Sequence, residues 1–464
     1  MRYHLIGIKG SSMSGLVKIL EAGGHKVTGS DLETHNPKNI TKDIDWVVVS
    51  AAITPQSKGY IEVEAAQKLG IPVISRSKLI GKLMSEQYGI AIAGMHGKST
   101  VTAMVGLILE KAGLDPTVLL GAETKEYGNV KLGHSLIERR VTRLGGPPAS
   151  ARSEARTSAG GKGGAGPVAI PYFVVEACEY ERQFLDFRPK AAIILNIEEE
   201  HLDTYPKGLS QIINTFKKFV DLLPKNGILI GNADDKNQKR VLKSAKCKVK
   251  TFSQNKPWPG LKLKIPGRFN LTNATAAARL CHELKVDHKI IKEALNNFTG
   301  IKRRMEVKGE KNGILVLDDY AHHPTEIQKT LEALKEFYLS PDSSPVALAK
   351  GGQNRRLIVV FQPHQYTRTK LLFKYFGAAF KAADQVILAD IFAVPGRDFK
   401  KEVKEEDLVR EIAASSKPSK GVKYLGAYPK ILSYLQKTAQ KTDIIVTMGA
   451  TKIYEVGERF IKNS

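Results

Sequence analysis

Seven consecutive residues, Gly94-Met95-His96-Gly97-Lys98-Ser99-Thr100, have the types and order needed to hold a nucleoside triphosphate. Glycines let backbone N–H groups approach an anion, a helix start behind them adds positive potential, and Lys98 supplies a full charge. A hydroxyl directly after the lysine, on Ser99 or Thr100, can ligate Mg²⁺. The full phosphate-loop pattern wants another glycine where Ile92 stands, so this loop is a variant of it. Farther along, Glu176, Asn196 and His201 follow apolar runs, and an acid and a histidine near a triphosphate suggest Mg²⁺ ligation. Singly, a glutamate is more often a solvated or capping residue and a histidine more often structural; the shared placement gives them weight. Two later clusters, Asp318-Asp319-Tyr320-Ala321-His322-His323-Pro324 and Gln362-Pro363-His364-Gln365-Tyr366-Thr367-Arg368, bring histidines and an arginine suited to an anionic or carboxylate substrate.

These groups need elements to position them. Ile90–Ala93 reads as a buried strand, 94–100 as a turn, and Val101–Lys111 as a helix that Gly113 stops. A similar unit opens the chain: strand Tyr3–Ile8, turn Gly7–Gly15, helix Leu16–Ala22, and strand Lys26–Gly29 ending in Ser30-Asp31. Its glycine spacing is not G-x-G-x-x-G, so a dinucleotide and some other diphosphate fit equally well. Strands Asp45–Ser50, followed by Ala51-Ala52, and Pro72–Ser75 complete a small nucleotide-binding α/β domain over 1–87.

Further strands are read at Tyr172–Val175, Ala191–Leu195, Ile228–Ile230, Ile314–Leu317, Leu357–Phe361, Gln385–Leu388 and Asp443–Thr447. Helices are expected at Ala274–Leu284 and 325–337, and helical stretches at Gln211–Lys218 and Glu283–Glu293. Asn270 and Asn273 could cap the alanine-rich helix or offer amides to a base edge; taken alone they read as caps. In open α/β sheets, ligands gather beyond the C-terminal strand ends, where these polar clusters fall. The expected fold is therefore α/β in three domains. A Rossmann-like domain covers 1–87, a central parallel-sheet domain of the P-loop ATPase kind 88–298, and a C-terminal Rossmann-like domain 299–464. Residues 135–168, rich in Gly, Ala, Ser, Pro and Arg, cannot bury a core and read as a disordered insertion.

A chain of 464 residues needs more than one core. Cys178, Cys247 and Cys281 are too widely spaced for a disulfide framework or a metal pattern, which suits a reducing cytoplasm. No signal peptide is read in MRYHLIGI, and no apolar stretch approaches a membrane span. The net charge of +24 could mean a nucleic-acid partner. The lysines are spread along helical stretches without aromatic interleaving, so a solvated surface that attracts anionic nucleotides is favoured. Zinc-ligand spacing and a G-x-S-x-G elbow are both missing from the sequence, which argues against zinc and serine hydrolysis.

Seven segments in order resemble the motifs of one family, the ATP-dependent Mur ligases of peptidoglycan synthesis. AGMHGKST is similar to GTHGKTT and EACEYERQFL to EADESDxSFL. NIEEEHLDTY, GRFNLTNATAA, GIKRRMEV, DDYAHHPTEI and FQPHQYTRT each resemble further motifs. The last two, with NIEEEHLDTY, most resemble the branch that adds L-alanine to UDP-N-acetylmuramate.

That resemblance implies a reaction in which the lactyl carboxylate attacks the γ-phosphate of ATP. An acyl phosphate forms, and the amine of L-alanine then displaces phosphate. Lys98 would stabilise the γ-phosphate within a nucleotide loop of Gly94, Met95, His96, Gly97, Ser99 and Thr100. Ser99 or Thr100 and Glu176 would hold one Mg²⁺, with His201 joining Glu176 at a second. Asn270 and Asn273 would face adenine, and Arg304 and Asp319 would position the nucleotide. Gly10, Ser11, Ser12, Met13, Ser14, Ser30, Asp31, Ser50, Ala51 and Ala52 would hold the UDP moiety. Tyr320, His322, His364 and Arg368 would line the alanine and acyl side.

Cys178 replaces an aspartate of the family pattern, and Gln365 an arginine that would pair with a carboxylate. The implied protein is a cytoplasmic monomer or weak dimer with no nucleic-acid or membrane partner. A relative that adds another amino acid or a recycled peptide stays open, as do two other classes: an NAD-dependent oxidoreductase built on 1–87 and a nucleic-acid-stimulated ATPase.

Overall fold

Among the described residues, three sheets dominated by parallel strands carry the fold, as the apolar runs require: a parallel strand covered on both faces is hydrophobic throughout. They are seen in a computed structural model that describes residues 1–124, 127–134, 171–201, 204–339, 355–393, 403–415 and 421–462. The expected insertion at 135–168 lies outside the described residues. The chain divides into two compact units, 1–264 with 271–298, and 265–270 with 299–464.

In the first unit, β1 (Arg2–Ile6), β2 (Lys26–Ser30), β3 (Trp46–Val49) and β4 (Val73–Ser75) form a parallel sheet in the order β2-β1-β3-β4. Helix α1 (Ser11–Ala22) follows β1, with Met13, Leu16, Ile19 and Leu20 buried on its inner face. The seven-stranded sheet is built from β5 (Tyr88–Ala93), β6 (Thr117–Thr124), β7 (Gly128–Lys131), β8 (Tyr172–Ala177), β9 (Ala191–Ile194), β10 (Ile228–Asn232) and β11 (Lys248–Phe252). Its order is β11-β10-β9-β5-β8-β6-β7, and only the β6/β7 pair is antiparallel. Helix α2 (Lys98–Lys111) leaves the central strand β5. Asn129 ties the two sheets together: its side-chain amide donates to the Ser11 carbonyl and, at 2.8 Å, to the Ser14 hydroxyl.

The second unit holds β12 (Glu306–Lys311), β13 (Ile314–Asp319), β14 (Leu357–Phe361), β15 (Gln385–Ala389), β16 (Val422–Gly426) and β17 (Ile444–Met448). Their order is β12-β13-β17-β14-β15-β16, antiparallel only at β12/β13. Leu317, Val359, Leu388 and Val446 pack with Leu331 and Leu334 of helix Pro324–Leu339 on one face. Val316, Val360 and Ile445 face the opposite core with Ile431 and Phe460.

Three helices begin earlier than the apolar periodicity predicts: at Ser11 rather than Leu16, at Lys98 rather than Val101, and at Arg268 rather than Ala274. The first turns at Ser11 and Lys98 are polar, and in the one at Arg268, Phe269 and Leu271 alternate with Arg268 and Asn270, so the apolar periodicity starts later than the helix does. Glu283–Glu293 is not one helix. Arg268–Glu283 ends, Lys285 turns at φ 69°, and Asp287 caps His288–Asn296 by accepting from the Lys289 N–H at 2.7 Å. Strands β6, β7, β11, β12 and β16 lie outside those expectations: β7, β11, β12 and β16 are short, partly polar runs at sheet edges, and β6 lies one strand in, between β8 and β7.

Candidate active site

Parallel register decides what surrounds the glycine loop. Ala93, the last residue of β5, pairs with Ala177 of β8 and Ile194 of β9. The segments after all three strands therefore emerge together, and they carry 94–100, 178–179 and 195–201. Gly94 and Gly97 sit at φ 134° and 85°, which a side chain resists. A Cβ on Gly94 would come within 3.0 Å of the Leu195 Cβ, and one on Gly97 within 2.8 Å of Asn273 Oδ1. Asn196 pins the loop from both sides: Oδ1 accepts from the His96 N–H at 2.8 Å and Nδ2 donates to the His96 carbonyl at 3.1 Å. Helix α2 then presents its first-turn amides, those of Lys98, Ser99 and Thr100, without intrahelical acceptors. Met95 is 5% exposed and lies in the core, so its carbonyl, not its side chain, faces the lysine.

Lys98 is the charged centre. Its ammonium donates to the carbonyls of Gly94 and Met95, the latter at 3.0 Å, and to Glu179 at 3.0 and 3.3 Å. Glu179 is 1% exposed, and its second contact is His201, whose Nε2 lies 3.2 Å from Oε1. Burial would pull the lysine down, yet the Glu179 charge holds it above the usual range. Burial would push Glu179 up, but Lys98 and His201 keep it below the usual carboxylate range. Burial and Glu179 push the Cys178 thiol up to about 11, which fits a packing residue and not a nucleophile.

Sequence reasoning missed Glu179. It chose Glu176, which lies within β8; Glu176 Oε1 accepts from the Gly121 N–H at 2.8 Å. His201, in the left-handed region at φ 55°, meets Glu179 and not Glu176. Among the described residues, no three His, Cys, Asp or Glu side chains gather into a metal cluster. Asn270 and Asn273 are not caps, since the helix starts at Arg268. Asn270 donates to the Pro266 carbonyl at 2.7 Å, and Asn273 packs on Gly97.

The N-terminal loop is a second glycine turn between a strand and a helix. Gly7 turns at φ 84°, and the N–H groups of Gly7 and Ile8 donate to the Ser30 carbonyl at 2.9 and 3.0 Å. Lys9 N–H donates to Asp31 at 2.8 Å, and the Ser11 hydroxyl donates to the Gly121 carbonyl at 2.9 Å. Gly10 and Ser11 are exposed and Ser12 and Ser14 half-buried, while the Met13 side chain is in the core. Ser50 sits against Gly7, with its Cβ 2.9 Å from where a Gly7 Cβ would stand; Ala51 is half-buried and Ala52 exposed. The Ser30 hydroxyl is fully buried and committed to Glu62 and His35. Asn36 N–H and Asn39 also donate to Glu62, at 2.9 and 2.7 Å.

In the second unit, Asp319 and Phe361 both pair with Met448, so the segments after β13, β14 and β17 share one edge. Asp319 is 3% exposed and accepts from the N–H groups of Met305 and Ala321, each at 2.8 Å. Burial, opposed by Arg304, pushes it up to about 6. Arg303 and Met305 sit at φ 61° and 47°, and Arg304 between them lies 5.4 Å from the Tyr320 ring and 3.7 Å from Glu326. His322 Nδ1 lies 3.1 Å from the Tyr320 carbonyl, which places the ring proton on Nδ1 and leaves Nε2 an acceptor. Burial pushes His322 down to about 4, with Arg368 and His364 adding and Glu326 opposing. His364 Nδ1 lies 3.4 Å from Arg368 Nη1, and its ring stacks on Phe392 with centroids 5.6 Å apart. Gln365 turns at φ 72°, with its N–H donating to the Phe392 carbonyl at 2.9 Å. Tyr320, His322, His364 and Arg368 are thus brought to one edge.

Comparison with known proteins gives three family matches. They are the Mur ligase family catalytic domain over residues 2–88, the Mur ligase middle domain over 165–260, and the Mur ligase glutamate ligase domain over 303–451. A UDP-N-acetylmuramate–L-alanine ligase of Acetivibrio thermocellus is 36% identical, with 99% of this chain and 95% of the relative covered. One from Caldanaerobacter subterraneus is also 36% identical, covering 100% and 98%. Among solved structures, the UDP-N-acetylmuramate–alanine ligase of Thermotoga maritima superposes with a TM-score of 0.74 at 22% identity, covering 100% of this chain and 98% of that one. A murein peptide ligase of Psychrobacter arcticus gives 0.64 at 23%, covering 99% and 98%.

Proposed function

Since the chain belongs to the Mur ligase family, we propose that it joins L-alanine to the lactyl carboxylate of UDP-N-acetylmuramate, consuming ATP, in peptidoglycan precursor synthesis. The observation that carries this reading is near-complete coverage at 36% identity by ligases of that specificity. Membership of the family sets aside the NAD-dependent oxidoreductase. The names of the full-length relatives favour L-alanine over another amino acid or a peptide as acceptor.

The chemistry follows from charge. A carboxylate must attack a phosphoryl group that is itself anionic, so the protein's task is neutralisation and alignment. In our assignment the loop of Gly94, Met95, His96, Gly97, Ser99 and Thr100 cradles the phosphates through the amides from Gly97 onward and the two hydroxyls, while the Met95 and His96 N–H groups, held by Asn196, fix its shape. Lys98 stabilises the transferring group. The lactyl carboxylate takes the γ-phosphoryl group, and ADP leaves. The L-alanine amine, as the free base, then attacks the acyl carbon, and phosphate departs with the bonding pair. Asn270 and Asn273 are assigned to adenine, and Arg304 and Asp319 keep the nucleotide-positioning role expected of them. Gly10–Ser14, Ser30, Asp31 and Ser50–Ala52 are assigned to the UDP moiety. Since Ser30 is committed to Glu62 and Met13 to the core, both would act through backbone groups. Tyr320, His322, His364 and Arg368 are assigned to the alanine and acyl side, with His322 neutral at working pH.

In our assignment a hydroxyl of Ser99 or Thr100 and the Glu176 carboxylate, hard oxygen donors of the kind Mg²⁺ takes, would hold one ion, and His201, which meets Glu179 in this structure, would have to turn toward Glu176 to join it at a second. A buried Glu200 oxygen with no hydrogen-bond partner adds negative charge near Lys98. Bound there, Mg²⁺ would supply further neutralisation of the phosphate oxygens. We place the protein in the cytoplasm as a monomer or weak dimer, with three domains at 1–87, 88–298 and 299–464. Among the described residues no helix is long and apolar enough to cross a membrane. The test is phosphate release from ATP and Mg²⁺ with UDP-N-acetylmuramate, with and without each standard amino acid. Release with L-alanine alone is expected. Release with a different amino acid would move the specificity, and no release with any would overturn the proposal.

A further inference from the structure

Glu179 has no part in the reaction steps above, yet it lies at their charged centre. It is buried to 1% exposure and touches two of the groups assigned to the chemistry, Lys98 at 3.0 Å and His201 at 3.2 Å. Its own backbone is held as well: the Tyr205 hydroxyl donates to its carbonyl, and Tyr205 is fully buried. An ammonium has three N–H donors. Those of Lys98 are matched by the Gly94 carbonyl, the Met95 carbonyl and the Glu179 carboxylate. A phosphate oxygen can therefore engage Lys98 only by exchange with one of these. The two carbonyls belong to a loop fixed by Asn196 and by two positive-φ glycines. The carboxylate is the partner with somewhere else to go, because Oε1 already lies on His201.

We infer that Glu179 is a positioning residue that holds Lys98 in place of a phosphate oxygen and hands it over to the nucleotide while keeping His201 aligned. This deepens the ATP-dependent ligase reading and rests on it. Two effects of opposite sign follow. Removing the carboxylate charge leaves a buried ammonium without its counter-ion, and such a group gains more from an incoming anion. Nucleotide binding then tightens. The same change releases Lys98 and His201 from their shared anchor, and turnover falls.

The experiment measures the affinity of ADP and of adenosine 5′-(β,γ-imido)triphosphate by calorimetry, together with kcat and KM for ATP, in the full-length protein. Glu179→Gln is expected to bind both nucleotides several-fold tighter, on the order of threefold to tenfold, while kcat drops at least about tenfold. Glu179→Asp keeps the charge and draws it back by one methylene, so it should fold even if the amide variant does not. It is expected to restore nucleotide affinity to near the parent value and part of kcat. Unchanged or weaker nucleotide binding in Glu179→Gln would overturn the inference, as would an unchanged kcat in either variant or a Glu179→Asp variant whose affinity departs from the parent value. Failure of the parent protein to bind either nucleotide would instead remove the ATP reading itself.

Discussion

Residues 7–14 and 94–100 solve the same local problem, a parallel strand that must pass through a glycine turn into a helix. They solve it with different electrostatics. Both turns start at a positive-φ glycine, Gly7 at 84° and Gly94 at 134°, and both lead into a helix whose first turn is polar. Each carries a lysine. Lys98 is 15% exposed at its side chain and is gripped by two carbonyls and a buried carboxylate. Lys9 is exposed, and only its backbone N–H is engaged, with Asp31. On the proposed function, the first loop would offer amides and hydroxyls to an anion that only has to be held. The second would set a desolvated charge where an anion must be made to react, which is worth far more at low dielectric.

The widest separation between the loops comes from the lysines. Lys98→Ala is expected to lower phosphate release by about 10³-fold or more, the scale for losing a preorganised transition-state partner. Far-ultraviolet circular dichroism should keep its shape. Full activity in this variant would remove the site assignment.

The next test replaces the glycines. Gly97→Ala adds a Cβ 2.8 Å from Asn273 Oδ1 at φ 85°. Left-handed backbone costs a non-glycine residue about 1–2 kcal/mol, so kcat/KM for ATP should fall roughly tenfold or more. Gly7→Ala carries similar strain at φ 84° and meets the Ser50 Cβ at 2.9 Å. It should raise KM for UDP-N-acetylmuramate by about tenfold and leave KM for ATP near its parent value. Crossed effects, with Gly7→Ala acting on ATP, would break the division of labour between the loops.

Local chemistry explains why the glycine loops could be read in the sequence. A strand, a glycine pair, a lysine and a hydroxyl sit within one turn of each other, and the constraints that select them act over the same distance. Glu179 could not be read that way. It lies among charged residues in Cys178–Arg182, and its partners come from two other strands through the register of β5, β8 and β9. Asn270 and Asn273 were misread as caps because the alanines behind them carry the stronger helical signal, while the helix already includes them. Strands β6 and β7, the last two of their sheet, are hidden for a related reason: Gly121 and Asn129 are poor strand formers, retained where Glu176 and Ser14 need a backbone amide and a side-chain amide.

Each loop also leans on a buried carboxylate, and acid separates their contributions. Burial would push Glu62 up, but the His4 ring nitrogen 3.7 Å away and hydrogen bonds from Ser30, Asn36 and Asn39 outweigh it and bring Glu62 down to about 2. A carboxylate with a lowered folded-state value contributes stability that is present above its ordinary value of 4.5 and lost as pH falls toward about 2. Urea unfolding across pH 5 to 2 should therefore show a steeper loss in the parent than in Glu62→Gln, which starts less stable at neutral pH. Parallel slopes would mean that Glu62 is not what ties Ser30 to the loop.

The smallest effect is the most discriminating. Lys9 and Lys98 have the same side chain, each stands in a glycine turn, and each precedes or opens a helix. If lysine beside glycine were enough to make a phosphate-transfer site, both substitutions would be severe. Among the described residues Lys9 has no buried partner and its side chain is exposed to water, where a unit charge contributes little to a neighbouring anion and salt screens the rest. Lys9→Ala should therefore change KM for UDP-N-acetylmuramate by no more than about twofold, leave kcat unchanged, and show its small effect fading as salt is raised. A tenfold rise in KM that persists at high salt would mean that Lys9 closes onto the diphosphate when the substrate binds. The first loop would then work by the same principle as the second, with its charge supplied by the substrate complex and not by the fold.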